Sequence, residues 1–474
     1  QLVCQILIDH EGLPTLNDVS QACGDEIADA WANTPTCKNP FGCKGVYMHL
    51  IGSQAQEREV LVELPEPEIW VSLEGCTLQS PENRCSEIPT LVLTGTEPLP
   101  NERITAIQGS LDGEPFYCLG DICKIPLHPT PVLGSRLEFW ADSSYGDVSQ
   151  VFTAQIRIIE TGVTESPDTE GWYVDVISSQ WQGTPLASCA RIWDAFPPVG
   201  GLPEWLMTPD EPVLLASEEP YYYLAGRLII QGMVDVSNCS SGGLLPNGYA
   251  DACGLEQARP LLLEWQNQFD QRIIEVAKLT GIPAQLMKNL FAQESQFWPG
   301  VFRVPYEYGL GQLTDNGVDS IFLWQPDFYS QFCPLVLHEE ACNRGYLSLD
   351  EESRAILRGA LALQAKVDCP ECEAGIDLSQ TNFSVSLFAN TLQANCAQVS
   401  RTVFTATNSS PGMVATYEDL WRFTIANYHA GPGCTAYAIH QTWLNTGRLT
   451  WEDAIDYFTD PCRGVIPYVE KITH

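Results

Sequence analysis

The chain has 474 residues, with 24 Lys and Arg against 60 Asp and Glu and a formal net charge of −36. At roughly 150 residues per domain, that length suggests about three domains. With 45% hydrophobic and 10% aromatic residues it carries enough apolar surface to fold, unlike a disordered acidic chain. The charge excludes nucleic acid as a main partner, because phosphate binding needs clustered Lys and Arg, and it reads as the solvated surface of an exported protein.

Eighteen cysteines and seven histidines show no zinc-finger spacing, so the cysteines read as a disulfide framework of an oxidising compartment. The CxxC at Cys369 and Cys372 has no second such pair and no thioredoxin-like βαβ pattern around it, so it too reads as a structural disulfide. Ten cysteines precede residue 250 and eight follow from 253, a parity that lets each part close its own bridges. No cofactor and no metal site is expected; Asp350 to Glu352 reads as a solvated helix start. A start at Gln1 rather than Met suggests a mature form whose signal peptide was removed before Gln1, and the expected location is secreted and cell-surface associated. No window supplies the ~20 apolar residues of a membrane span. The uncharged stretch Leu378 to Ser400 is full of Ser, Thr, Asn and Gln, and no transmembrane segment is expected.

In chain order, residues 1–90 hold six cysteines and strand-like runs at Glu59–Leu64 and Ile69–Leu73, which predict a disulfide-rich β module. Runs at Leu91–Thr94, Ile104–Ile107, Arg136–Ala141 and Val151–Ile159 predict a β-sandwich over 91–160. Within it, Leu137 to Ser149 resembles the final hairpin of bacterial immunoglobulin-like modules. Residues 161–252 combine a strand candidate at Trp172–Ile177 with an apolar patch from Tyr221 to Ile230, and read as a connector or a third small module. From 253 the pattern turns helical. Leu261, Leu262, Trp265, Phe269, Ile273, Val276 and Ala277 form one amphipathic stripe ended by Gly281 and Pro283. Further helices are expected from Met287, at Leu357–Ala365 and at Tyr417–Tyr428. The expected fold class is therefore multidomain: β-rich N-terminal modules followed by a mainly α-helical domain over 253–474.

Three motifs in this last part carry a resemblance. Ile282 to Pro299 contains Glu294-Ser295, Gly309-Leu310-Gly311-Gln312 starts fifteen residues after Glu294, and Ala426-Asn-Tyr428-His429-Ala-Gly431 follows. Together they resemble the soluble lytic transglycosylase family, which is lysozyme-like and related to goose-type lysozymes. Tyr468-Val-Glu-Lys-Ile472 is similar to the family's final helix, and the match spans about Glu256 to Ile472.

A glycosidic bond breaks when a carboxylic acid protonates its leaving oxygen, and a carboxyl stays protonated at neutral pH only in an apolar pocket. Glu294, late in a helix with Leu286, Leu290 and Phe291 and just before Phe297 and Trp298, suits that requirement. The resemblance implies cleavage of the MurNAc-GlcNAc β-1,4 bond of peptidoglycan, with Glu294 first acid and then base as the sugar's own 6-hydroxyl closes a 1,6-anhydro ring. It implies that Ser295 positions Glu294, that Tyr428 hydrogen-bonds near the carboxylate, and that Gly309, Leu310, Gln312 and His429 line the substrate. The implied partners are peptidoglycan glycan strands, with cell-surface proteins as candidate partners of the N-terminal modules.

The sequence also departs from the pattern. Gly311 stands where Met is usual, Tyr306-Glu307 where Gly-Ala is common, and His429 where Asn is expected. Two other readings stay open: a non-catalytic surface or assembly protein that binds glycan, and a hydrolytic lysozyme using Asp315 or Asp319 as a second carboxylate.

Overall fold

The structure is a computed structural model, and it describes all residues except 9, 11, 38–42, 54–63, 77–83, 161–170, 184–187, 200, 300–306, 368, 373 and 474. It divides into two compact units, Gln1–Leu64 and Pro65–His474. All eighteen cysteines are paired, in nine disulfides. Among the described residues, no helix is long and apolar enough to cross a membrane.

In the first unit, part of the stretch expected as a β module, the described residues hold two helices, α1 (Leu16–Cys23) and α2 (Asp25–Ala32). Local capping outweighs the β-like composition. The Thr15 hydroxyl accepts the Asp18 N–H at 3.3 Å while the Asp18 carboxylate accepts the Thr15 N–H at 2.6 Å, a reciprocal pair that fixes a helix start. Disulfides Cys4–Cys23 and Cys37–Cys43 brace this unit. Most of the run expected as a strand at 59–64 lies outside the described residues.

Among its described residues the second unit begins with nine strands in two antiparallel sheets. They are β1 (Glu68–Glu74), β2 (Arg84–Cys85), β3 (Thr90–Thr96), β4 (Ile104–Leu111), β5 (Glu114–Leu119), β6 (Ile122–Pro126), β7 (Ser135–Ser143), β8 (Phe152–Glu160) and β9 (Trp172–Ser178). The sheets run in the orders β1-β3-β6 and β2-β9-β8-β7-β4-β5. Alternation decides the inner faces: Ile69, Val71, Leu91 and Leu93 of one sheet share a core with Leu137, Phe139, Ala141, Ile156, Ile158, Val174 and Val176 of the other. Cys118–Cys123 joins the edge strands β5 and β6 across the two sheets. The set runs continuously through the positions 90 and 160 at which composition suggests boundaries, because β1 and β9 pair with strands between them.

Helices make up the rest: α3 (Ser188–Trp193), α4 (Tyr222–Ile230), α5 (Ala252–Asn267), α6 (Asp270–Thr280), α7 (Ala284–Ser295), α8 (Asp315–Trp324), α9 (Pro326–Phe332), α10 (Glu339–Cys342), α11 (Glu351–Ala365), α12 (Leu378–Thr407), α13 (Pro411–Val414), α14 (Tyr417–Ala430), α15 (Pro432–Thr446), α16 (Trp451–Ala454) and α17 (Val465–Ile472). Helices α3 and α4 contribute Cys189, Trp193, Leu224 and Leu228 to the same core as α5, α7, α12 and α14. Two disulfides, Cys189–Cys396 and Cys239–Cys253, run across residue 250, so the even count on each side does not reflect separate closure. On the far face of the six-stranded sheet, buried Arg157 binds Asp175 at 2.8 Å and the Pro197 carbonyl at 2.6 Å. This ties the sheet to the segment that leads into the helices.

The single stripe expected from Leu261 to Ala277 is two helices, α5 and α6. Asn267, the last residue of α5, exchanges side-chain hydrogen bonds with the Ser217 backbone, at 2.9 Å in each direction, and the next helix starts at Asp270. The longest element is the 30-residue α12, which covers the polar stretch beginning at Leu378. Its buried polar groups are satisfied within the helix: Thr391 donates to the Leu387 carbonyl at 3.0 Å and Asn395 to that of Thr391 at 2.8 Å. Polar residues can therefore line a core helix without orphaned donors.

Candidate active site

Glu294 stands in the last turn of α7, on the face that carries the fully buried Met287, Leu290 and Phe291 at i−7, i−4 and i−3. The helix ends in two consecutive non-glycine residues with positive φ, Gln296 at 46° and Phe297 at 60°, a conformation that persists only where packing enforces it. The Gln296 side-chain oxygen accepts the N–H groups of Tyr223 and Leu224 at 2.9 and 3.3 Å. Trp265 donates to the Phe297 carbonyl at 2.9 Å and stacks on Trp298 with ring centroids 5.1 Å apart.

The start of α7 is held by a buried ion pair. Lys288 Nζ lies 2.7 and 2.8 Å from the two Asp270 oxygens and 2.8 Å from Asn267 Oδ1. Burial pushes Asp270 up and Lys288 down from their ordinary values, against their mutual attraction. Lys288→Met strands a buried carboxylate, and we expect it to cost about 3–5 kcal/mol. The further change Asp270→Leu is expected to recover most of that loss, as measured by denaturant unfolding of the single and double variants.

The Glu294 carboxyl is largely withdrawn from water, and burial pushes its pKa up to about 7. The hydrogen bond that its Oε1 accepts from the Tyr468 hydroxyl works against this, and the neighbouring Glu307 carboxylate adds to it. A carboxyl in that range keeps a substantial protonated fraction at neutral pH, the state needed to deliver a proton. Because the Tyr468 bond favours the ionised form, Tyr468→Phe is expected to raise the Glu294 pKa further. NMR titration of 13C-labelled glutamate carboxyls reads this directly, and an unchanged or lowered value contradicts it.

Tyr468, on α17, carries no chemical signal in the sequence beyond its place in the closing helix. Its ring lies against His429, with centroids 3.8 Å apart and planes 13° apart. Burial there holds the His429 imidazole below its ordinary value. Tyr428 points elsewhere: its hydroxyl donates to the Gly311 carbonyl and its ring meets Phe388 edge-on at 5.5 Å. The hydrogen bond that the resemblance assigns to Tyr428 thus comes from Tyr468. Both phenols are buried and feel the Glu294 charge, which pushes them well up. Ser295 is buried and donates to the Phe291 carbonyl at 3.1 Å, closing its own helix turn rather than touching Glu294.

The turn at 308–313 is closed by paired backbone bonds between Tyr308 and Leu313, 2.9 Å each way. Gly309 has φ +70°, and a Cβ there would come within 2.7 Å of Ser384 Cβ. At Gly311 a Cβ would lie 2.1 Å from the Phe388 ring, so Phe388 fills the space that a side chain at 311 would need. Leu310 is fully buried in the core. Gln312 is 7% exposed, and neither its Oε1 nor its Nε2 has a partner among the described residues, an amide left with its hydrogen-bonding capacity unused.

The two aspartates considered as second carboxylates stand apart from this cluster. Asp319 is held by the Tyr346 hydroxyl and by Arg358 at 3.2 Å, and Asp315 lies exposed in the first turn of α8. The carboxyl that the structure brings into electrostatic reach of Glu294 and Tyr428 is Glu307. Its neighbour Tyr306 lies outside the described residues. Among the described residues, no cluster of three or more His, Cys, Asp or Glu has the arrangement to hold a metal ion. Compared with known proteins, the chain matches no protein-family model, no curated protein and no solved structure.

Proposed function

We propose that the protein is an exported peptidoglycan-cleaving enzyme, a lytic transglycosylase whose Glu294 protonates the β-1,4 bond between N-acetylmuramic acid and N-acetylglucosamine. In this reading the helical part is lysozyme-like, the sandwich in front of it is immunoglobulin-like, and the nine disulfides suit a location outside the cytoplasm. The observation that carries the proposal is the state of Glu294: largely buried, held by one tyrosine and with a pKa near neutrality. A solvated helix-face glutamate has no such environment.

Gln312 supports the reading, because its unpartnered amide suits the N-acetyl groups of the glycan. Loss of the leaving group creates an oxocarbenium-like centre, and capture by the sugar's own 6-hydroxyl closes the 1,6-anhydro ring. Mass spectrometry of the soluble products released from purified sacculi tests this. Anhydro-ended muropeptides are expected from the native chain and ~10²–10⁴-fold less from Glu294→Gln. Equal release by both proteins moves the acid elsewhere.

A further inference from the structure

We propose that His429 is a positioning residue of this site: its imidazole, stacked on the Tyr468 ring, holds the phenol whose hydroxyl meets the Glu294 carboxyl. The inference rests on the glycan-cleaving reading above, and it gives His429 a role other than the substrate contact that the resemblance implies. The ring centroids lie 3.8 Å apart with planes 13° from parallel, so the imidazole covers one face of the phenol. Tyr468 is 6% exposed, whereas His429 stays exposed at the surface. The imidazole makes no hydrogen bond or ion pair among the described residues, and the Tyr468 ring is the partner that the fold gives it.

The backbone of α17 is already fixed at both ends. The Cys434–Cys462 bridge ties the chain five residues after His429 to the chain six residues before Tyr468. Beyond Tyr468, the Asn289 amide donates to the Ile472 carbonyl at 2.8 Å and attaches α17 to α7. What remains free in Tyr468 is its side-chain torsions. A hydrogen bond weakens steeply as its angle closes, so a ring that swings away from this pose loses the carboxyl. Adjacent residues of a helix point roughly 100° apart, and α14 uses both directions: Tyr428 reaches the Gly311 carbonyl and His429 reaches Tyr468. One helix thus holds the glycine turn with one residue and the donor to Glu294 with the next.

The cover has a second effect. Burial keeps the Tyr468 hydroxyl protonated, well above its ordinary value, and therefore a donor. Without the imidazole, water reaches the phenol and competes for that hydroxyl. A flat ring is enough for both effects, since no hydrogen bond joins His429 to Tyr468 or Glu294.

NMR titration of 13C-labelled glutamate carboxyls in the full chain, with sacculus digestion beside it, tests this on His429→Ala and His429→Phe, each alone and combined with Tyr468→Phe. Thermal unfolding checks that every variant folds. In His429→Ala a misplaced donor raises the Glu294 pKa, whereas entering water lowers it, and the water effect is common to both backgrounds. The shift caused by His429→Ala is therefore expected to be ~0.5–1 pH unit more positive in the native background than beside Tyr468→Phe, which has no donor to misplace. Muropeptide release by His429→Ala is expected to fall ~3–10-fold, the scale of one hydrogen bond. His429→Phe, which keeps a flat ring, is expected to restore most of the rate. Equal shifts in the two backgrounds overturn the positioning role and leave Glu294 as the acid. A folded His429→Phe as slow as His429→Ala also overturns it, because the site then needs the nitrogens rather than the stack. A native chain that releases nothing from sacculi removes the glycan-cleaving reading, and with it the site that His429 serves.

Discussion

Glu294→Gln is expected to reduce muropeptide release by ~10²–10⁴-fold, the range for loss of a positioned general acid, without destabilising the protein. The amide keeps the shape of the carboxyl and still accepts the Tyr468 hydrogen bond, so packing at the end of α7 is preserved. The linkage argument gives the sign of the stability change. In the unfolded chain Glu294 loses its proton near the ordinary glutamate value of 4.5, and in the folded chain only near 7. Between those values the folded state binds more protons, so stability is lost as pH rises from about 4.5 through about 7.

Each pH unit that separates the two values corresponds to about 1.4 kcal/mol, and residual solvent screening reduces the total. Glu294→Gln removes this penalty. At pH 8 it should unfold at an equal or higher temperature than the native chain, whereas near pH 4 the two should coincide. Loss of activity together with a lower melting temperature at pH 8 would contradict the assignment, because a purely structural glutamate would then explain both.

The second large effect concerns the Cys189–Cys396 bridge, which joins residues 207 apart in sequence. It pins α3 to the middle of α12, where Trp193 also donates to the Cys396 carbonyl at 3.0 Å and meets Trp421 edge-on at 5.1 Å. Closing so long a loop restricts the unfolded chain far more than a short one does, and in the chain-entropy account the bridge contributes about 5 kcal/mol. The bridge between Cys369 and Cys372, only 3 residues apart, contributes about 2 kcal/mol on the same account. Replacing both cysteines of each pair by alanine and comparing denaturant midpoints tests the ranking. An equal cost for the two pairs would show that residual structure in the unfolded chain, not loop closure, sets the contribution.

Much of the secondary structure is legible locally. The alternating runs at 69–73, 91–94, 136–141 and 172–177 all lie in strands, because one buried face imposes a period of two. The helix ending before Gly281 is legible because that glycine takes φ +68°, which few other residues adopt. The 30-residue α12 is less legible: its buried stripe of Val385, Phe388, Leu392, Cys396, Val399 and Val403 is diluted by Ser, Thr and Asn whose side chains bond within the helix, so the stretch reads as polar. The break between α5 and α6 is hidden as well, since the side chain of Asn267 at the end of α5 bonds a backbone 50 residues earlier.

The site divides along the same line. Sequence by itself determined the carboxyl that stands at the end of an apolar helix, the glycine turn fifteen residues beyond it, and a cysteine content suited to an oxidising compartment. Only the tertiary structure decided which tyrosine meets Glu294 and which cysteines pair across residue 250. The reason is physical. Helix ends, turns and alternation follow from interactions between near neighbours along the chain, whereas the bond from Tyr468 to Glu294 joins groups 174 residues apart. Such a contact exists only after α7, α14 and α17 have packed on a common core, and no local propensity encodes the register in which they dock.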